Sequence, residues 1–261
     1  MREINRKSIT IGWLYPDLMS TYGDRGNIIV LTKRCQWRGI EVKVTSITLE
    51  TQNSELYNSD LIFMGGAQDR QQKLAGEDFL KRKGPVVKEL VEKAIPGLFV
   101  CAAYQAIGHY YKPYQGDPIP GPGIFDLYTQ HPGDQAKRLI GNIVAELNSE
   151  FGIRNSELRT TIVGFENHGG RTYLGKNLKP FAKVLKGFGN NGEDGYEGAV
   201  YKNAIGSYFH GPILTKNPHI ADWLISRALA EKYGNKVQLT PLDDSLEWQA
   251  HQVMLSRLGV T

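Results

Sequence analysis

Short apolar runs alternate with helix-length segments over the first hundred residues. Ser8–Leu14 alternates as a strand. Residues 15–23 hold Pro16, Asp17 and Gly23, which mark a loop. Asp24 is placed to cap a helix running to about Arg38, where Gly39 stops it. Glu41–Ile47 alternates again, and Leu61–Met64 is a short apolar run ending in Gly65 and Gly66. Helical spacing returns over 68–81, and Pro85 suits the first turn of a helix that continues to Ala94. Pro96 and Gly97 then introduce 98–100, a fully apolar strand ending at Cys101. This β-α-β-α rhythm predicts an α/β fold with a mainly parallel central sheet flanked by helices.

The second half is richer in turns. Residues 112–123 are dense in proline and glycine and predict a loop. Leu139–Leu147, 160–165, Ala182–Lys186 and 198–201 read as strands, and the polar stretch 148–159 as a protruding hairpin or loop. The last strand, 205–209, ends at His210, and helices follow at about 220–232 and 246–258. Without a repeat or linker, the expectation is one domain over 1–261. Its core spans about 8–214, with a helical tail at about 219–261.

Composition narrows the class. At 41% hydrophobic and 22% charged, the chain is globular in type. A net charge of +4 without a run of five like charges gives no footing for nucleic acid. No segment approaches the roughly 20 apolar residues of a membrane span. The N-terminus shows no secretory pattern, so a cytoplasmic setting is expected. Cys35 and Cys101 are too few for a disulfide framework and are expected to stay reduced. No Cys-x-x-Cys, His-x-x-x-His or carboxylate cluster has ligand spacing, so no metal is expected. Residues 22–27 lack the Lys-Ser/Thr of a phosphate cradle, so no nucleotide is expected in this chain.

The strongest local feature is Gly97-Leu-Phe-Val-Cys101-Ala-Ala-Tyr-Gln105. A buried strand runs straight into a thiol and then a helix. Such a turn lifts the side chain at its tip out of the sheet, and small neighbours relieve crowding. A helix start also favours a thiolate and offers free N–H groups, chiefly that of Ala102, to an oxyanion. A buried structural cysteine would give the same pattern. His210 ends an apolar strand, so it would share a sheet edge with Cys101 if both strands are parallel. His168, in Phe165-Glu-Asn-His168-Gly-Gly, competes for the role of base. His109, His131, His219 and His251 lie in helix-like or loop contexts and are expected at the surface. Gly65-Gly66 could add an oxyanion donor or simply form a tight βα turn. Cys35 is expected in the core. The Gly187-Phe-Gly189-Asn-Asn segment precedes no helix and is not read as a phosphate loop.

Six segments together resemble the class I glutamine amidotransferases of flavodoxin-like fold. They are Tyr22-Gly-Asp-Arg-Gly-Asn-Ile28, Gly65-Gly-Ala-Gln-Asp-Arg-Gln71 and Cys101-Ala-Ala-Tyr-Gln105, then Gly164-Phe-Glu-Asn-His-Gly-Gly-Arg-Thr-Tyr173, Gly187-Phe-Gly-Asn-Asn191 and Tyr208-Phe-His-Gly-Pro-Ile-Leu214. The closer likeness is to the cobyric-acid-synthase-like branch and, within it, to glutaminase subunits of lipid II isoglutaminyl synthases. It runs over nearly the whole chain. The resemblance implies hydrolysis of L-glutamine to glutamate and ammonia through a Cys101 thioester, with His210 as general base and acid. It implies oxyanion donors near Gly65, Gly66 and Ala102, glutamine contacts from Gln105 and Arg138, and a site wall including Asn167 and His168. It further implies a heterodimer with a Mur-ligase-like synthetase of MurT type at the inner face of the membrane. That partner would hold ATP and Mg²⁺ and amidate the D-glutamate of lipid II.

Two departures from the family pattern matter. The position two after the histidine, where many such enzymes carry Glu, is Pro212. The imidazole is therefore expected to lack an acid in this chain and to take a carboxylate from the partner. The elbow carries Ala102 and Ala103 rather than glycines, which requires the strained residue to be Cys101 itself. The competing readings are a glutaminase for another amidation such as that of cobyrinate, a thiol hydrolase on a similar scaffold, and a binding module with an inert cysteine.

Overall fold

A computed structural model describes residues 7–149, 160–234 and 237–260. The central sheet has six strands. Five are parallel: β1 (Ser8–Leu14), β2 (Glu41–Ile47), β3 (Leu61–Met64), β4 (Gly97–Val100) and, after nine intervening strands among the described residues, β14 (Ala204–Ser207). The short β13 (Ala199–Tyr201) closes one edge antiparallel to β14, giving the order β13-β14-β4-β3-β1-β2. Every residue of β3, β4 and β14 is buried. That is why β3 and β4 read as unbroken apolar runs: a parallel sheet covered on both faces has no wet side.

Four helices follow the first strands: α1 (Arg25–Gln36), α2 (Asn53–Tyr57), α3 (Asp69–Asp78) and α4 (Gly84–Glu92). A π-turn over Phe79–Lys83 joins the last two. Gly39 ends the α1 segment in the left-handed conformation (φ +69°). Cys35 lies fully buried on α1, where burial pushes its thiol up to about 12. A one-turn helix, α5 (Ala102–Ala106), leaves directly from the nucleophile elbow.

Between β4 and β14 the chain builds two smaller sheets. One orders β10 (Arg171–Leu174), β7 (Leu127–Gln130), β5 (Tyr110–Lys112) and β6 (Ile119–Pro120). The other orders β12 (Tyr196–Glu197), β11 (Ala182–Lys186), β8 (Leu139–Leu147) and β9 (Thr161–His168). The expected loop at 112–123 thus contains a short strand, because Tyr111 pairs with Ile119. β5, β7, β10 and β12 have no distinct apolar run and gain their structure from pairing. The expected hairpin at 148–159 lies, from residue 150, outside the described residues.

Two helices complete the chain, α6 (Pro218–Tyr233) and α7 (Ser245–Leu258). α6 packs on α1 and β3, while Leu255 of α7 is buried against Val144 and Val163 of the second small sheet. Arg34 of α1, only 2% exposed, ties these helices together. Its guanidinium donates to both carboxylate oxygens of Asp222 on α6 (2.7 and 2.8 Å) and to both of Asp244 at the head of α7 (2.6 and 3.0 Å). A buried arginine is tolerable only with such complete pairing. Asn217 clamps the start of α6 to β9 by exchanging side-chain hydrogen bonds with the Val163 backbone (3.0 and 2.8 Å). Three of the histidines expected at the surface are not there. His219 is half-buried and stacks on Trp248 (5.1 Å between centroids). His251 is buried, with Nδ1 donating to Lys216 O (2.8 Å) and Nε2 facing the Thr161 hydroxyl (2.9 Å). His131 is half-buried on a cavity wall.

Candidate active site

In an open parallel sheet the ligand crevice lies beyond the carboxyl ends of the strands, where the strand order reverses. Here the order reverses at β1, with β2 on one side and β3, β4 and β14 on the other. The segments leaving β1, β3, β4 and β14 carry Asp24, Gly66, Cys101 and His210. The two predicted reactive residues therefore share one rim, because their strands are parallel neighbours.

Cys101 holds φ 56° and ψ −107°, a conformation that costs a residue with a Cβ about 1–3 kcal/mol. Ala102 and Ala103 follow as ordinary helical residues, so the strain rests on the cysteine, as the alanines require. The surrounding backbone enforces it. Cys101 N–H donates to Ser207 O on β14 (2.8 Å), and Cys101 O accepts from Gln105 N–H on α5 (3.0 Å).

His210 is 1% exposed, and its backbone exchanges two hydrogen bonds with Phe165 of β9 (2.7 and 3.2 Å). Its Nδ1 faces Asp24 Oδ1 at 3.4 Å. Burial alone would lower the imidazole pKa. The Cys101 thiolate and the Asp24 carboxylate outweigh burial and push it up to about 10. The Tyr22 ring meets the imidazole edge-on at 4.8 Å between centroids.

Asp24 corrects two expectations. The imidazole does have an acid within this chain. It also makes no capping bond to α1, because its carboxylate turns the other way. Fully buried, it accepts the Gly66 N–H at Oδ2 (2.6 Å) and presents Oδ1 to His210. Pro212 helps to hold this geometry. A Cβ on Gly26, in the first turn of α1, would fall 2.3 Å from Pro212 Cγ, so only glycine permits the approach. Asn27 Oδ1 also accepts the Leu214 N–H (3.1 Å). The His210 segment is thereby riveted to the helix that Asp24 precedes.

The Gly65-Gly66 pair serves that contact. A Cβ at Gly65 would lie 2.8 Å from Asp24 Oδ2, and one at Gly66 would lie 3.2 Å from His210 Cε1. Since the Gly66 N–H is committed to Asp24, it is not a free oxyanion donor.

A cavity of about 660 Å³ opens above the elbow. Cys101, Ala102, Gln105, Arg138, Asn167 and His168 line it, whereas Gly65, Gly66 and His210 stand behind the wall. The β8–β9 register pairs Leu139 with His168 and so brings Arg138 to the cavity mouth. Arg138 donates from Nε to Asn167 Oδ1 (3.0 Å) and from a terminal nitrogen to Asn167 O (3.1 Å). Gln105 is buried and held at both ends of its amide. Its oxygen accepts from Gln72 (3.2 Å) and its nitrogen donates to the Tyr208 hydroxyl (3.1 Å). Gln105 thus forms part of the cavity floor.

His168 does not compete as base. It stacks flat on Tyr208 (3.6 Å, 5°), donates from Nδ1 to Gly170 O (2.8 Å), and burial lowers its pKa. Glu166 has a structural task. It accepts the N–H groups of Phe188 (2.7 Å) and Gly189 (2.9 Å), holding the glycine-rich turn there. Glu197 Oε1 accepts from the Ser207 hydroxyl (2.8 Å) and the Tyr208 N–H (2.7 Å), anchoring the end of β14 just before His210. Burial pushes the Glu197 carboxyl up to about 8.

Sequence reasoning missed Asp24, Tyr22, Gln72 and His131 at this site. The Tyr22-Gly-Asp24 segment carried a signal, since a helix-capping aspartate preceded by a loop aromatic matches either role.

A model of the CobB/CobQ-like glutamine amidotransferase domain matches residues 10–218. The GatD subunit of glutamine-hydrolysing lipid II isoglutaminyl synthase from Staphylococcus aureus is 41% identical over 249 residues, spanning 95% of this chain and 96% of that protein. The corresponding GatD subunit from Streptococcus pneumoniae is 38% identical over 91% of this chain and 87% of its own length. A cobyric acid synthase from Pelotomaculum thermopropionicum is 26% identical, and the match covers only 38% of it. Among solved structures, a glutamine amidotransferase superposes at a TM-score of 0.55 with 16% identity, over 84% of this chain and 98% of the other. PurLQS from Thermotoga maritima superposes at 0.52 with 12% identity, over 87% and 99%. At such identities these two matches speak for the fold alone. The chain belongs to the CobB/CobQ-like glutamine amidotransferase family and, by its near full-length likeness, to the group within it that includes the GatD subunits.

Proposed function

We propose that this chain is the glutaminase subunit of a lipid II isoglutaminyl synthase. The reading rests on one convergence: a strained Cys101 and a buried His210–Asp24 pair meet at one rim, under a cavity with Arg138 at its mouth. The 41% identity to a GatD subunit over nearly the whole chain supports it over cobyrinate amidation, where the cobyric acid synthase relative is only 26% identical.

In this reading glutamine enters with its α-carboxylate on the Arg138 guanidinium and its side-chain amide over Cys101. The thiolate attacks the amide carbon, and the oxyanion forms against the N–H groups of Ala102 and of Ala67, one residue beyond the engaged Gly66. The His210 imidazolium gives its proton to the amide nitrogen, the C–N bond breaks, and ammonia leaves a glutamyl thioester. Neutral His210 then takes a proton from water, whose oxygen attacks the thioester. Return of that proton to sulfur releases glutamate. Asp24 keeps Nδ1 protonated so that Nε2 faces the chemistry.

The ammonia passes to a partner subunit of Mur-ligase type. That partner holds ATP and Mg²⁺, activates the D-glutamate carboxylate of lipid II, and brings this chain to the inner face of the membrane.

The test is covalent labelling by a diazoketone analogue of glutamine. One adduct on the Cys101 peptide is expected by mass spectrometry, suppressed by glutamine and absent in Cys101→Ala. Labelling that glutamine does not suppress, or an adduct only on Cys35, would overturn the reading.

A further inference from the structure

Tyr22 is out of place as a purely structural residue. It sits in the left-handed region (φ 54°, ψ 27°), followed by Gly23 at φ 80°, where asparagine or glycine would be at ease and a bulky aromatic is not. It is also 51% exposed, so core burial does not explain the conformation. Its contacts do. The ring lies edge-on to His210 at 4.8 Å, and the hydroxyl accepts from Asn167 Nδ2 (3.0 Å). Asn167 in turn accepts from Arg138 through both its side-chain and its backbone oxygen (3.0 and 3.1 Å). An unbroken contact path therefore runs Arg138–Asn167–Tyr22–His210, from the carboxylate clamp at the cavity mouth to the base behind its wall.

We propose that Tyr22 is a positioning residue that couples occupancy of Arg138 to the environment of the His210 imidazole. The inference rests on the glutaminase reading, which gives Arg138 its ligand. Asn167 fixes the guanidinium from one side, so a carboxylate pairing with its remaining N–H groups draws Arg138, the Asn167 amide and the Tyr22 hydroxyl together. The ring then settles against the imidazole and keeps water off the face where ammonia is released. The groups facing that imidazole are Asp24 from the β1–α1 loop, Cys101 from the elbow and Tyr22 itself.

The test uses the full-length chain together with its synthetase subunit. Tyr22→Phe keeps the ring and removes the link, so KM for glutamine should rise about fivefold or more, with a smaller fall in kcat. Asn167→Ala should raise KM similarly, and the double variant should show less than the product of the two effects, since both break one path. Tyr22→Ala removes the ring as well. Its kcat should fall about tenfold, and the basic limb of its kcat/KM profile should move toward the ordinary imidazole range as water screens the charges around His210. Wild-type KM in Tyr22→Phe, or strictly multiplicative effects with Asn167→Ala, would overturn the coupling. Should Tyr22→Ala fail to fold, Tyr22→Phe and the double variant still decide. Diazoketone labelling of Cys101 in the same variants separates the two levels. Lost labelling in the wild type defeats the glutaminase reading and the coupling with it, whereas intact labelling with unaltered kinetics defeats the coupling alone.

Discussion

Replacing Asp24 by asparagine removes one charge from beside His210 and almost nothing else. The carboxylate and Nδ1 are 3.4 Å apart. At that distance, with an effective dielectric of 20, two unit charges attract by about 5 kcal/mol, an upper figure. The contact is long and the carboxylate is shared with the Gly66 N–H, so about half of that is a reasonable expectation. Half corresponds to roughly a 10²-fold loss in kcat. The tautomer adds to the effect, because an asparagine NH₂ can donate to Nδ1 and leave the proton on Nε2, where a base needs a lone pair. The basic limb of the rate profile, set in the wild type by an imidazole pushed up to about 10, should fall. The assay is glutamate release followed across the alkaline range, alone and with the partner. Thermal stability should stay close to that of the wild type, since Asp24 makes no capping bond to α1 and asparagine retains an oxygen for Gly66. Unchanged kcat with an unchanged pH profile would refute the reasoning and return the search for an acid to the partner subunit.

Three other outcomes follow from the same geometry. Both Cys101→Ala and Cys101→Gly should be inactive, but the glycine variant should be the more stable by about 1–2 kcal/mol, since only glycine relaxes at φ 56°, ψ −107°; equal melting temperatures would contradict the strain. Gly66→Ala should lower kcat about tenfold at similar KM, because its Cβ would press on Thr21 Oγ1 (2.8 Å) and His210 Cε1 (3.2 Å). Glu197 has a carboxyl pKa raised by burial to about 8. Its contribution to stability is therefore fully present below the unfolded value, near 4.3, and lost as pH rises through about 8. Urea midpoints at pH 5 and pH 9 should diverge in the wild type and draw together in Glu197→Gln, and an equal divergence in both would assign the titration elsewhere.

The parallel core was legible because β3 and β4 are buried on both faces and are apolar throughout, while β14 breaks that pattern only at Ser207, which is paired with Glu197. With the strand directions known, Cys101 and His210 had to share an edge, and their placement followed from topology rather than spacing. The small sheets were harder. Tyr110–Lys112 and Leu127–Gln130 are short and lack a continuous apolar face, so only their partners reveal them. Asp24 was misassigned for a physical reason. The preference for aspartate before a helix is local, while its actual partners, Gly66 and His210, lie 42 and 186 positions away. Arg138 was legible as a candidate only through the likeness, because an arginine at the edge of a strand is usually just solvated.

The Arg34 bridge gives the far end of the polypeptide a mechanical share in the chemistry. One guanidinium fastens α1 to two carboxylates on separate C-terminal helices, and α1 begins immediately after Asp24. Deleting the last helix from Asp244 onward would strip half of that fastening from a cation sealed away from water. The loosened lever would be the one whose head steadies the imidazole. A remote tail, none of whose described residues lines the cavity, thus works as the footing of the reaction centre.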